Sequence, residues 1–347
     1  NTANFVGLGN ENITATDATI TVGQANTIAG YTSGTITAQI AAGTANALTA
    51  LNGTGNAYTL DVSDGANVDA ADLLALNGKT TVAVDLQAIS AAGTALNGNY
   101  TELKALFAAA AEGDYSGLAA DLPITIDDNV SVSQANEIHA LTSAAVTATI
   151  SDTVLADYAG LEGTGNAYTI SIGDAALDAD ALEALNAKTS VDITLTGDTS
   201  ISGTLANVNA VIVTKTGYDN TTINTAIDVN ITDTISAANA ELILNDTTGV
   251  VTATIAPDTA ANINNAFAAN ATATDLLSIT VTDSSVDPAV LNTLDGKTGT
   301  DINVSAVNTI SGARADIDTL YGNTANFVGL GNENITATDA TITVGQA

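Results

Sequence analysis

The chain contains no cysteine, no methionine and no tryptophan. Disulfides, thiol catalysis and thiolate metal sites are thereby excluded, and stability has to come from packing and hydrogen bonding. Aromatic residues are only 3% and prolines number three. Basic residues are scarcer still, with 6 Lys and Arg against 38 Asp and Glu, for a formal net charge of −32. At about −30 for residues 1–322, the surface repels phosphate backbones and anionic lipid heads, which argues against nucleic-acid partners and peripheral membrane binding. The single histidine, His139, leaves zinc sites and histidine-dependent triads without their parts. No apolar run reaches spanning length, so direct membrane insertion is not expected. The lack of an initiator methionine and a signal peptide fits an internal fragment.

What is present is apolar and repetitive. Hydrophobic residues make up 46% and the mean hydropathy is +0.26, too high for a disordered acidic chain. Ala, Val, Ile and Leu supply that fraction, which suits thin regular layers better than a deep globular core. Residues 1–25, NTANFVGLGNENITATDATITVGQA, return letter for letter at 323–347. The chain is therefore one period of 322 residues and the opening of the next, as in tandem arrays that grow by stacking.

The period divides again. ITATDATITVGQANTIAGYTSGTITAQI (13–40) aligns with 124–150 and 231–255, and YTLDVSDGANVDAADLLALNGKT (58–80) aligns with 168–189 and 278–298. Lys79, Lys188 and Lys297 fall at matching places. Three super-repeats follow, at 1–123, 124–229 and 230–334, with 323–347 as the start of the next period. Each holds four strand-like words, centred at Thr14, Ala38, Leu60 and Ala83 in the first super-repeat. A longer fourth step carries an inserted helix such as TELKALFAAAAE (101–112).

Within a word, apolar and polar residues alternate: Tyr58, Leu60 and Val62 against Thr59 and Asp61, or Val146, Ala148 and Ile150 against Thr147 and Thr149. This predicts strands with one dry and one wet face. The spacing of Val68, Ala71, Leu73, Leu74 and Leu76 predicts a short helix after the strand. Asp69, Asp178 and Asp287 stand at its N-cap, with Pro288 at the first helical position. Gly78 and Gly296 stand where a left-handed C-terminal residue is expected, and Lys79 and Lys297 near the negative end of the helix dipole. A strand and a helix every 22 to 24 residues predicts an α/β fold, an open parallel β-strand/short-helix solenoid built like a leucine-rich repeat. The alternative is an all-β solenoid. Twelve coils stacked at strand spacing give a period about 58 Å long.

The words VDAADLLALNGKTTVAVD (68–85), GTLANVNAV (203–211) and SVDPAVLNTLDGKTGTDINVSAVNTISG (285–312) resemble the giant repetitive cell-surface proteins of marine cyanobacteria, some of which are associated with swimming without flagella. The resemblance runs from Ile13 to Gly312. It implies secretion to the cell surface and a structural or adhesive role, and it brings no catalytic residues.

The residues themselves offer little chemistry. GLGNEN (7–12) lacks the glycines and strand–helix context of a dinucleotide motif. Asp178 and Asp180 could in principle pair for glycoside hydrolysis, but a helix cap and a first-turn charge explain them more simply; no enzyme activity is expected. His139 reads as a partly exposed helix residue. Calcium is the one cofactor to weigh. Asp61, Asp64 and Asp69, then Asp174, Asp178 and Asp180, then Asp283 and Asp287 gather between strand and helix, and hard cations want several such oxygens. Neither the EF-hand spacing nor the glycine-rich nonapeptide of calcium-binding β-rolls is present, and turn formation and capping explain the same aspartates. The outward strand positions vary among Thr37, Asp61, Asp85, Thr147 and Asn303, which speaks against a uniform ice-binding face and leaves glycan binding as another use. Asn-x-Ser/Thr words recur, as at Asn12, Asn99 and Asn270, as composition alone would supply. The expected function is a structural segment of an extracellular filament, stalk or surface layer. Its partners would be further copies of itself and divalent cations. Alternatives are the spacer of a giant calcium-dependent adhesin and a glycan-binding solenoid.

Overall fold

The computed structural model describes residues 9–267 and 270–339; residues 1–8 and 340–347 of the duplicated word lie outside the described residues. The fold is mixed α/β. Short strands alternate with short helices, and every strand pair is parallel. Parallel neighbours cannot be joined by tight hairpins and need a crossover. Here the crossover is the turn and helix between one strand and the next, giving steps of roughly 20 to 30 residues. The helices exclude the all-β alternative.

The chain divides into two units. The first runs to Asp152 and takes in Asp157–Ile170 and Ala187–Val191. It holds a three-stranded sheet (Ile13–Thr14, Ile36–Gln39, Ala57–Thr59), a five-stranded one and the pair Val84–Asp85 with Tyr115–Ser116. The order in the five-stranded sheet is Ala167–Thr169, Val146–Ile150, Ile124–Val130, Leu96–Gly98, Val68–Asp69. The second unit holds Thr153–Ala156, Ser171–Asn186 and the chain from Asp192 on. Its five-stranded sheet runs Ala176–Asp178, Ser200–Gly203, Asp228–Ile235, Val251–Ile255, Leu276–Ser278. A three-stranded sheet follows, of Ser285–Val286, Thr309–Gly312 and Asn334–Ala337. The same irregularity recurs in both five-stranded sheets. Register shifts between Thr125 and Asn129 in one and between Asn230 and Thr234 in the other.

Alternation produces the faces it predicts. Tyr58, Leu60 and Val62 are buried while Thr59 and Asp61 are half-exposed; Val146, Ala148 and Ile150 are buried while Thr147 and Thr149 are exposed. The aspartate-led segments are helical: Ala70–Asn77, Ala179–Asn186 and Pro288–Asp295. Each buries three residues at i, i+3 and i+6, namely Ala70, Leu73, Leu76; Ala179, Leu182, Leu185; and Pro288, Leu291, Leu294. Three points to one face of a two-turn helix are enough to seat it on the strands. Ala71 and Leu74 are only half-buried, so the buried stripe is narrower than the spacing suggests. The expected inserted helix spans Tyr100–Glu112 and starts with a capping box of Asn99 and Glu102.

Two expectations are overturned. Gly78 and Gly296 are right-handed, with φ of −68° and −74°. These helices close instead by tightening, with the Lys79 and Lys297 amides reaching the Leu76 and Leu294 carbonyls at 2.8 and 2.9 Å. Left-handed glycines end other helices, at Gly93 and Gly113. The expectation of one strand per segment also fails. Val68–Asp69, Ala176–Asp178 and Ser285–Val286 form a second strand just before the helix. Two or three residues with a single inward apolar side chain are too few to show a period of two.

Segments approach one another closely at Gly249. A Cβ there would fall inside contact distance of the Ile227 carbonyl in the preceding segment. Gly249→Ala should therefore force the two backbones apart and lower stability by about 1–3 kcal/mol, measured by denaturant unfolding; an unchanged midpoint would show that the strands have room to spare.

Candidate functional site

The carboxylates that could ligate a cation are placed by the turns between strand and helix, and there each has another partner. Asp69, Asp178 and Asp287 cap their own helices, accepting from Ala71, from Asp180 and Ala181, and from Ala289. Asp61 accepts from the Gln39 amide group at 3.1 Å. Asp180 takes the Asn207 side-chain amide at 2.7 Å and the Thr204 amide at 3.4 Å. The Asn207 bond, with the Thr204 amide behind it, holds the Asp180 carboxyl below the usual range. Among the described residues no group of three or more His, Cys, Asp or Glu gathers around a point that could hold a metal.

Asp64, Asp174 and Asp283 do something the sequence reading missed. Each accepts the first backbone N–H of the helix in the preceding segment: Ala45 at 2.8 Å, Leu155 at 2.6 Å and Ala260 at 2.6 Å. Asp128, Asp152, Asp233 and Asp339 do the same for Tyr100, Val132, Leu205 and Arg314, at 2.9, 2.8, 3.2 and 2.7 Å. A helix leaves its first amides unpartnered and its N-terminus electropositive. A carboxylate from the next segment meets both needs and joins the two segments in one bond.

Two further ladders run alongside. Asn56, Asn166 and Asp275 are buried, and their Oδ1 atoms accept the first strand amides of Ile36, Val146 and Val251 at 2.9, 2.8 and 2.9 Å. Thr80, Thr189 and Thr298 donate to the carbonyls of Tyr58, Tyr168 and Leu277 at 2.6, 2.7 and 2.9 Å. The same hydroxyls accept the amides of Val82, Val191 and Thr300. Thr142 and Thr247 make the same pair of bonds. The signal in the sequence was the threonine after each lysine: Thr80, Thr189 and Thr298 recur in step with Lys79, Lys188 and Lys297. Lys297 itself reaches the Phe267 carbonyl at 2.6 Å, so it caps the helix before its own, Ala260–Ala266.

The remaining candidates are modest. His139 ends the helix Val132–His139, is half-buried, and packs against Gly163 with its Nδ1 unpartnered. On the wet face of the second unit's sheet lies a groove of about 460 Å³, touched by Ala176, Ser202, Asn230, Thr252 and Leu276; pockets of such size can take small ligands. No helix among the described residues is long and apolar enough to cross a membrane.

No family model, curated protein or solved structure matches this chain.

Two outcomes follow from these bonds. Asp283→Ala, which strips the cap from Ala260, should cost about 1 kcal/mol in thermal or denaturant unfolding, the usual worth of a helix cap; a neutral result would make the carboxylate dispensable. With magnesium at matched concentration as control, adding calcium, or a chelator, should leave the melting temperature where it was, since binding only the folded state would raise it; a rise with calcium beyond that with magnesium would reveal an ordered site.

Proposed function

We propose that the chain is a structural segment of an extracellular filament, stalk or surface layer, with its strand–turn–helix units stacked as coils of an open parallel solenoid. The observation that carries this reading is the triple recurrence of the cross-segment ladders. Asp64, Asp174 and Asp283, Asn56, Asn166 and Asp275, and Thr80, Thr189 and Thr298 each bind the backbone of the segment before. Side chains spent on holding neighbours in register, at equivalent places in all three super-repeats, suit a chain whose task is to extend. The duplicated 25-residue word and the resemblance to repetitive cell-surface proteins support the same reading.

Charge supports it as well. At −32, neighbouring fibres repel one another and gather a diffuse cloud of cations, which keeps a crowded surface polymer from clumping. The reading assigns the chain no catalytic step. The protein's partners are copies of itself, end to end, with divalent cations held loosely around the acidic surface.

Electron microscopy of the native assembly should show a fibre with an axial repeat of about 58 Å, or a simple multiple, from twelve coils at parallel strand spacing. Compact, unconnected particles would count against it.

A further inference from the structure

The duplicated word appears twice in the structure, and its two copies are paired on opposite edges. In the first copy, the Ile13 and Ala15 amides donate forward to the carbonyls of Thr35 and Thr37 at 3.0 and 2.9 Å, with Ile13 opposite Ile36. In the second copy, the Asn334 and Thr338 amides donate backward to the carbonyls of Asn308 and Gly312 at 2.9 and 3.0 Å, with Ile335 opposite Ile310. Asn334 and Thr338 carry the same letters as Asn12 and Thr16, and Ile335 and Ala337 the same as Ile13 and Ala15.

In a parallel ladder the amides of successive residues point alternately to the two neighbouring strands. The even-numbered set of one copy and the odd-numbered set of the other are thus the two halves of one doubly paired strand. Each copy uses one half. Among the described residues nothing pairs with the other edge of the second copy, and Ile335 is 54% exposed. Two side chains repeat the asymmetry. Asp339 takes the Arg314 amide at 2.7 Å, and Glu333 takes the Tyr321 hydroxyl at 2.8 Å. Their counterparts Asp17 and Glu11 have no such partners in the first copy among the described residues; the Glu11 carboxylate takes the nearby Gly9 amide at 2.7 Å instead.

We propose that consecutive periods of one chain join through this single word as an unbroken parallel ladder. Residues 12–15 lie between Thr309–Gly312 of the period before and Ile36–Gln39 of their own period. Asp17 takes the Arg314 amide of the preceding period, and Glu11 its Tyr321 hydroxyl. The partner for the open edge of residues 334–337 is accordingly the following period, in the place where Ile36–Gln39 stands beside Ile13–Thr14. The joint rests on reading the chain as a segment of a tandem array, and it adds the register and the latching residues.

Amide hydrogen exchange tests it on two chains: residues 1–347, and a longer chain in which residues 1–322 are followed by residues 1–347. In the shorter chain the amides of Asn12, Thr16, Ile335 and Ala337 should exchange fast, and those of Ile13, Ala15, Asn334 and Thr338 slowly. At the internal copy of the longer chain both sets should be slow, by about 100-fold relative to the open edge, as for amides inside a cooperative unit. Fast exchange of either set there overturns the joint. Asp17→Asn in the second period of the longer chain should speed exchange at the Arg314 amide of the first. If the longer chain fails to fold, the 347-residue chain decides: Asp339→Asn should speed exchange at Arg314 several-fold, while Asp17→Asn leaves every rate unchanged. Equal effects of the two overturn the proposal. Slow exchange at the joint in a protein that microscopy finds unassembled would keep the joint and remove the filament; a filament with fast exchange there would do the reverse.

Discussion

Each segment of this fold begins with amides that its own backbone cannot satisfy. A short helix exposes its first N–H groups, and the first residue of a short parallel strand lies beyond the ladder of its neighbour. Buried and unpaired, such groups would each cost on the order of 1–3 kcal/mol. The following segment meets that demand with a carboxylate or an amide oxygen at Asp64 and Asn56 and at their equivalents, while the Thr80 hydroxyl donates to the Tyr58 carbonyl. No disulfide is available and aromatics are few, so segment-to-segment cohesion rests on these bonds together with the thin apolar rows of Ile, Leu, Val and Ala beneath them.

Because every bond in the three ladders joins a segment only to its neighbour, stability is assembled locally. The acidic excess is tolerable in that arrangement. Many carboxylates that would repel one another on a compact surface are turned toward backbone amides, which stabilise their charge. Helix-start carboxylates thus contribute to stability while keeping the chain strongly negative.

The strands and helices were legible where the pattern had room to repeat. Five residues such as Val146–Ile150 show alternation, and an aspartate before Ala70–Asn77 marks a start. The two-residue strand Val68–Asp69 was not legible, because one inward valine has no period. The candidate site was legible in its residues and not in its geometry. Closeness in sequence to Asp69, Asp178 and Asp287 makes Asp64, Asp174 and Asp283 candidate cation ligands. In space they turn away, toward the helix of the segment before, and sequence distance between neighbours says nothing about which way a side chain leaves a turn. The place of Gly78 after a helix predicts a left-handed residue, but tightening of the last turn supplies the closure without a positive φ.

The seven aspartates that accept the first amide of another segment's helix all reach the same way, from a later segment to an earlier one. This set of caps is therefore vectorial. Remove a segment from the trailing end, and a bare helix amide is left; remove one from the leading end, and an unattached carboxylate is left. A helix start without its carboxylate favours anions and a carboxylate without its helix favours cations, so the two sides of one such joint respond differently to salt.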